Sequence, residues 1–192
     1  MSQDNKWIVR FFLCWIGANL LGSLGMYALG TISPIPRLIR GVVFALFLLP
    51  IGLAQWLVLR RRISLSPLWI LTWPTGVLLS AFLIAVIPWD VIGDDESTLV
   101  LTFAYVVIGA AIGLLQWLVL RWKVSRSGLW IVGHALAMGL GMILILVTGL
   151  VNTSDLVSSV ALVLVYATVT ASFLTRLLFR PDEAHSQQVS VT

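Results

Sequence analysis

Six long stretches of this chain contain no Asp, Glu, Lys or Arg, and they constrain its fold more than any other feature. They cover residues 11–36, 41–59, 63–89, 97–120, 127–154 and 156–175, with lengths of 26, 19, 27, 24, 28 and 20 residues. A helix needs about 20 apolar residues to cross a hydrocarbon core of ~30 Å. Charged residues make up only 10% of the chain, against about 25% in a typical soluble domain. The sequence therefore predicts a polytopic membrane protein.

The spanning elements are predicted to be helices, because the strands of a membrane β-barrel would alternate apolar and polar residues. The six stretches are continuously apolar instead. Pro74 lies within the third predicted span, so we expect that helix to break there. We expect an all-α fold of six transmembrane helices, with spans near residues 7–29, 38–60, 68–89, 97–120, 129–151 and 156–179.

Lys and Arg residues flank the predicted spans asymmetrically. Ten of the twelve fall on one side, and only Arg37 and Arg40 fall on the other. Because basic residues accumulate in cytoplasmic loops, we expect both termini in the cytoplasm. The net charge of +4 reflects this arrangement, and we expect no nucleic-acid partner. The ten residues are Lys6, Arg10, Arg60, Arg61, Arg62, Arg121, Lys123, Arg126, Arg176 and Arg180.

One segment of the chain occurs twice. IGLAQWLVLRRRISLSPLWI begins at Ile51, and IGLLQWLVLRWKVSRSGLWI begins 61 positions later at Ile112, with 14 of 20 places identical. Each copy covers the end of one span, a basic turn and the start of the next span. A fainter third copy is divided between residues 6–9 and 175–180. We expect a single domain over 1–180, built from three helical hairpins near 6–62, 68–123 and 129–180, and a flexible cytoplasmic tail over 181–192.

Trp and Arg recur at one depth of these hairpins. Trp56 and Trp117 precede Arg60 and Arg121 by four residues, which places each pair on one helix face. Trp prefers the headgroup level, and Arg reaches that level along its aliphatic stem. We expect these side chains to anchor the helices at the membrane–water interface. The predicted anchors are Trp7, Trp56, Arg60, Trp69, Trp117, Arg121 and Trp130.

Small and polar residues form stripes on the predicted helices. Gln55 and Gln116 each lie more than one turn inside the membrane border, three residues after a glycine. Glycine lets helices approach closely, and polar side chains hydrogen-bond between them. We interpret the stripes as helix-packing surfaces, with a polar path for a ligand as the alternative. From its angular position on the same helix, we expect Val58 to face lipid. The stripes contain Gly52, Gln55, Gly109, Gly113, Gln116, Thr168, Ser172 and Thr175.

His134 is the only histidine within a predicted span, and it is a speculative ligand for a haem or pigment metal. The second histidine, His185, lies in the predicted tail. The repeat places Trp73 at the position equivalent to His134, so the position accepts a large aromatic ring. A structural role is therefore favoured, and we expect no bound cofactor and no metal site.

Sequence motifs for catalysis are missing. The chain has no phosphate-binding Gly-rich loop and no HisGluXXHis, CysXXCys or GlyXSerXGly motif. No Asp or Glu lies inside a predicted span, so ion-coupled transport lacks its usual carboxylate. We expect no catalytic residue and no enzymatic activity. A membrane scaffold or assembly component, with membrane lipid and other membrane proteins as partners, is favoured. A small-solute or lipid transporter or channel is the alternative, and a haem- or pigment-binding protein is third.

The phrase GlyXXGlnTrpXXLeuArg, followed by a short basic turn and a helix that starts with Trp, resembles a group of small multi-pass bacterial membrane proteins. These proteins are of cyanobacterial type, and their activity is uncharacterised. The resemblance covers about residues 51–75 and 112–135. It implies a bacterial inner membrane or a thylakoid membrane, and it supplies no activity and no functional residues. The third copy departs from the phrase, with Thr175 and Arg176 in place of Gln and Trp.

Overall fold

The computed structural model describes residues 3–30, 46, 48–87, 98–124, 126–150 and 155–179. Within these ranges the protein is all-helical and contains no strand, as predicted. A 3-10 helix, Pro67–Leu71, leads into the third α-helix. The α-helices are α1 (Gln3–Gly30), α2 (Leu49–Leu59), α3 (Thr72–Ala85), α4 (Thr98–Leu120), α5 (Leu129–Val147) and α6 (Asp155–Phe179).

Five segments of the described chain are long and apolar enough to cross a membrane. They coincide with five of the six predicted spans. The described part of the remaining span, predicted over 38–60, is the 11-residue apolar helix α2. Arg37, Arg40, His185 and the predicted tail lie outside the described residues. The five segments are Lys6–Leu24, Pro67–Ala85, Leu99–Leu120, Leu129–Val147 and Leu156–Leu178.

Pro74 does not break its helix, contrary to the expectation from sequence. It lies in the first turn of α3, where a missing backbone N–H costs little. The irregular segment comes earlier, as the 3-10 helix. Ser66 caps that segment, because its hydroxyl oxygen accepts a hydrogen bond from the Leu68 N–H at 3.3 Å.

The helices pack in chain order and form a closed bundle. Helix α1 contacts α2, α2 contacts the 3-10 helix and α3, and α3 to α6 follow in succession. Helix α6 then packs against α1. Because each helix has two neighbours, one face of every helix borders a shared interior.

The two copies of the repeated phrase fold into matching turns. After α2, the Arg60 N–H donates to the Trp56 carbonyl oxygen at 2.8 Å, and after α4, the Arg121 N–H donates to the Trp117 carbonyl oxygen at 2.8 Å. Further backbone hydrogen bonds of the two turns recur at the same spacing along the chain. Equivalent local sequence therefore produces equivalent local structure at the basic end of the bundle.

Two apolar clusters fill the interior. The first lies at the end with the basic turns and includes the buried indoles of Trp15, Trp69 and Trp130. The second lies further along the helices and includes Trp73 and Tyr166. Trp15 and Trp130 of the first cluster and Trp73 and Tyr166 of the second take part in the hydrogen bonds described next.

Candidate functional site

The two glutamines of the repeated phrase meet inside the bundle. Gln55 on α2 and Gln116 on α4 are both 0% exposed. The Gln116 Nε2 group donates to Gln55 Oε1 at 3.4 Å. The same oxygen accepts a hydrogen bond from Trp73 Nε1 at 2.9 Å, which connects α3 to the pair. A buried amide without partners is costly, and these contacts supply them.

Helix α1 connects this pair to α6. Gln55 Nε2 donates to Asn19 Oδ1 at 2.9 Å. Asn19 Nδ2 donates to the carbonyl oxygen of Trp15, one turn earlier, at 2.7 Å. The Trp15 indole N–H then donates to the Thr170 hydroxyl oxygen at 3.0 Å. Trp15 therefore accepts on its backbone and donates from its side chain.

Helices α6 and α5 continue the chain of hydrogen bonds. The Thr170 hydroxyl donates to the Tyr166 carbonyl oxygen at 2.8 Å. The Tyr166 hydroxyl lies 2.7 Å from His134 Nε2, and His134 Nδ1 lies 3.2 Å from the Trp130 carbonyl oxygen. A carbonyl oxygen only accepts, so Nδ1 carries the proton and Nε2 accepts from Tyr166. The Trp130 indole N–H donates to Gln116 Oε1 at 2.8 Å.

These bonds form a closed cycle, which we call the polar ring. All of them point the same way around it, from α1 to α6, α5, α4, α2 and back to α1. Such chains of hydrogen bonds polarise and strengthen one another. Trp73 joins as a side branch, so the polar ring connects all six described α-helices. Its members are at most 3% exposed, and they are Trp15, Asn19, Gln55, Gln116, Trp130, His134, Tyr166 and Thr170.

Three glycines of the predicted stripes let the helices approach closely enough for these bonds. A Cβ atom on Gly52 would collide with the Ile70 carbonyl oxygen, and one on Gly109 would collide with the His134 carbonyl oxygen. A Cβ atom on Gly113 would lie 2.9 Å from His134 Cβ. Larger residues at these positions would push neighbouring segments apart.

In the two copies of the repeat, tryptophans at different positions donate the hydrogen bond to the glutamine. Gln55 accepts from Trp73, whereas Gln116 accepts from Trp130. The residue equivalent to Trp130 in the first copy is Trp69. Its indole N–H is buried without a hydrogen-bond partner, and the Gln55 oxygen already accepts two hydrogen bonds.

The structure places His134 as a link between helices. Both of its ring nitrogens take part in the polar ring. The imidazole also packs edge-on against Trp130 and Tyr166, with ring centroids 4.4 and 5.4 Å away. In the part of the chain that the structure describes, no group of three or more His, Cys, Asp or Glu residues could hold a metal ion. Neither nitrogen is available to a metal in this arrangement.

Helix α6 borders the interior with a different face from the predicted stripe. Thr168 and Ser172 are exposed, and the Ser172 and Thr175 hydroxyls donate to carbonyl oxygens of their own helix at 2.8 and 2.7 Å. Threonine and serine satisfy themselves in this way without a neighbouring helix. The buried polar residues of α6 are Tyr166 and Thr170. The third copy of the repeat has no glutamine. Its alignment with the other two copies therefore did not indicate which face of α6 points into the bundle.

Two of the predicted interface anchors lie in the interior. Trp69 and Trp130 are both 0% exposed, and their ring centroids are 6.4 Å apart. Both indoles are part of the first apolar cluster. The indoles stabilise the bundle by burial rather than by contact with lipid headgroups.

The remaining predicted anchors lie at the bundle surface. The Arg60 guanidinium carbon lies 4.6 Å from the Trp56 ring centroid, and that of Arg121 lies 5.7 Å from the Trp117 ring. Both arginines are exposed, and Trp7, Trp56 and Trp117 are partly buried. This combination of partly buried indoles and exposed cations fits the expected interface chemistry.

Several members of the polar ring were missed in the sequence. Asn19 carries the only side-chain amide between Lys6 and Leu24, which is a usable signal. Trp15 precedes Asn19 by four residues, and Tyr166 precedes Thr170 by four, so each pair shares a helix face. Only the three-dimensional packing brings the two pairs together.

Comparison of this chain with protein-family models, with curated proteins and with solved structures finds no match.

Proposed function

We propose that this protein is a non-enzymatic integral membrane component that acts as a scaffold or assembly partner for other membrane proteins. One observation carries the proposal: the eight buried residues of the polar ring direct their side-chain hydrogen-bonding groups at one another. A transport path needs polar groups that face a solute, and an active site needs a reactive group that a substrate can reach. The polar ring instead fixes the helices relative to one another.

Membrane embedding is supported by the five apolar helices that are long enough to span a bilayer. We propose that α2 belongs to a sixth span that also includes residues before Leu49. The matching turns after α2 and α4 support an origin of the bundle in repeated hairpins. The clustering of Lys and Arg supports cytoplasmic termini, and the resemblance noted above supports a bacterial inner membrane or a thylakoid membrane.

The outer surface of the bundle supports lipid and other membrane helices as its partners. Leu13, Leu21, Leu99 and Val147 are each more than 60% exposed, and similar side chains cover the other described helices. Such a surface is stable in lipid and is available to a second membrane protein.

Purification of the full chain in mild detergent, followed by mass spectrometry, tests the scaffold role. We expect a membrane protein to co-purify in a fixed ratio. Reconstitution into liposomes supplies the opposing test. Solute flux that disappears in the Gln55→Leu, Gln116→Leu double variant, with no co-purifying protein, would overturn the proposal in favour of a transporter.

Single cysteines in a Cys14→Ser background test the topology. Ser64 lies in the exposed turn after α2, and Thr148 is exposed at the end of α5. We expect a cysteine at 64 to react with an impermeant reagent only from the cytoplasmic side, and one at 148 only from the other side. Labelling of both from the same side would contradict the predicted arrangement.

A further inference from the structure

An open cavity of about 540 Å³ lies between α1 and the end of α2. Three arginines line it: Arg10 from α1, and Arg61 and Arg62 from the turn after α2. All three are exposed. Guanidinium groups bind phosphate through paired N–H donors, and three of them at one cavity favour an anionic ligand.

The rest of the cavity wall is largely apolar. It is formed by Trp7, Phe11 and Cys14 of α1 and by Val58 of α2. Trp7 and Cys14 are seven residues apart, so this wall follows α1 for roughly 10 Å. Val58 is partly buried and lines this cavity, where the sequence predicted a side chain facing lipid. The cavity thus combines positive charge with a long apolar wall.

Arg10 is the unusual member of the group. It lies four residues inside the apolar segment Lys6–Leu24, near the end where the sequence predicts the cytoplasm, so its guanidinium can reach the headgroup level along its aliphatic stem. The repeat places Thr72 and Gly133 at the equivalent positions. The Thr72 hydroxyl donates to the Trp69 carbonyl oxygen of the preceding 3-10 helix, and Gly133 packs against Phe173, so both are used in local structure or packing. Local contacts therefore account for Thr72 and Gly133, but they do not account for a charged residue at position 10.

Trp7 and Arg62 stack against each other in the cavity wall. The Arg62 guanidinium carbon lies 3.3 Å from the Trp7 ring centroid, and this contact connects the start of α1 to the turn after α2. Trp at this level is typical of the headgroup region of a bilayer.

We propose that this cavity binds an anionic phospholipid from the surrounding leaflet. Arg10 and Arg61 hold the phosphate, Arg62 adds positive charge to the cavity wall, and the wall from Phe11 to Cys14 and Val58 contacts the start of an acyl chain. A soluble phosphate ester would use the arginines alone and leave the apolar wall without a role. The inference rests on the proposed membrane embedding, which carbonate extraction of membranes containing the full chain tests separately.

Native mass spectrometry of the full, delipidated chain in detergent provides the test. Phosphatidylglycerol and phosphatidylcholine with identical acyl chains are titrated in parallel. We expect tighter binding of phosphatidylglycerol, and we expect Arg10→Gln to weaken it roughly fivefold. Arg10→Lys should retain part of the preference. Cys14→Phe fills the apolar end and should weaken binding while all three charges remain.

Arg121→Gln is the matched control, since Arg121 is an exposed arginine of the corresponding turn and does not line the cavity. Equal binding of the two lipids, or equal loss in Arg10→Gln and Arg121→Gln, overturns the proposal even if the chain resists carbonate extraction. Displacement of phosphatidylglycerol by glycerol phosphate at equal concentration overturns the lipid assignment. Thermal unfolding without lipid should be unchanged in the arginine variants, because their side chains are exposed.

Discussion

The Tyr166 hydroxyl donates a hydrogen bond to His134 Nε2 at 2.7 Å, across the buried contact between α6 and α5. The proton on Nδ1 is held by the Trp130 carbonyl oxygen, so Nε2 depends on Tyr166 for its donor. Two rigid aromatic rings on adjacent helices are thereby held in one relative orientation.

Tyr166→Phe should destabilise the bundle by about 1–3 kcal/mol, because it leaves His134 Nε2 buried without a donor. The measurement is thermal or denaturant unfolding in detergent. Tyr105→Phe is the control, since Tyr105 is a partly buried tyrosine outside the polar ring. Equal stability of the Tyr166 variant and the unmodified protein would contradict the assigned hydrogen bond.

Trp69→Phe and Trp130→Phe form a matched pair. Both remove the same volume from the same apolar cluster, but only Trp130 loses a hydrogen bond, the one to Gln116. We expect Trp130→Phe to cost about 1–2 kcal/mol more than Trp69→Phe. A larger loss for the Trp69 variant would mean that its indole N–H has a partner.

Gly52→Leu and Gly113→Leu should each lower stability by on the order of 1–3 kcal/mol or more, because their side chains would collide with Ile70 and His134. Val132→Leu adds a methylene group at a position that is 49% exposed and should change stability very little. The melting temperatures of the three variants, measured in one detergent, test whether the glycines are helix-packing positions. Identical melting would return the glycine stripes to the alternative of a ligand path.

Gln55→Leu and Gln116→Leu should be non-additive, because the two amides share a hydrogen bond. A double-mutant cycle in unfolding free energy should give a coupling of about 0.5–3 kcal/mol. Ser80→Ala supplies the comparison, since the Ser80 hydroxyl bonds to the Val77 carbonyl oxygen of its own helix. The unfolding free energies of Ser80→Ala and Gln55→Leu should be additive in their own double-mutant cycle. Additivity between the two glutamine variants, together with coupling between Ser80→Ala and Gln55→Leu, would refute the polar ring.

The positions of the described helices could be predicted from sequence because bilayer thickness sets a length that the apolar runs must match. The two glutamines and three glycines were also identifiable, since the repeated phrase marks them. The hydrogen-bond partners of the glutamines could not be identified from sequence. The rotation of each helix about its axis decides which side chains meet, and that rotation depends on packing between helices that are distant in sequence. Trp15 and Thr170, for example, are 155 residues apart and meet only in the closed bundle.

Composition also did not indicate that Trp69 and Trp130 face the interior of the bundle. Indoles near basic turns usually lie at the membrane surface, but these two begin helices whose inner faces they occupy. The identity of a residue and its depth do not determine its angular direction. That direction follows from the turn geometry, which the sequence encodes only indirectly.

The kinds of donor and acceptor groups in the polar ring determine whether it can conduct protons. A proton relay requires each group both to accept a proton and to pass one on, as hydroxyls, imidazoles and waters do. At Trp15 and Trp130 the ring instead enters through a backbone carbonyl, which only accepts, and leaves through an indole N–H, which only donates. Protons therefore cannot hop around the cycle, although it contains a histidine and a tyrosine. The bundle therefore holds a continuous set of hydrogen bonds in its interior that does not act as a proton-conducting chain.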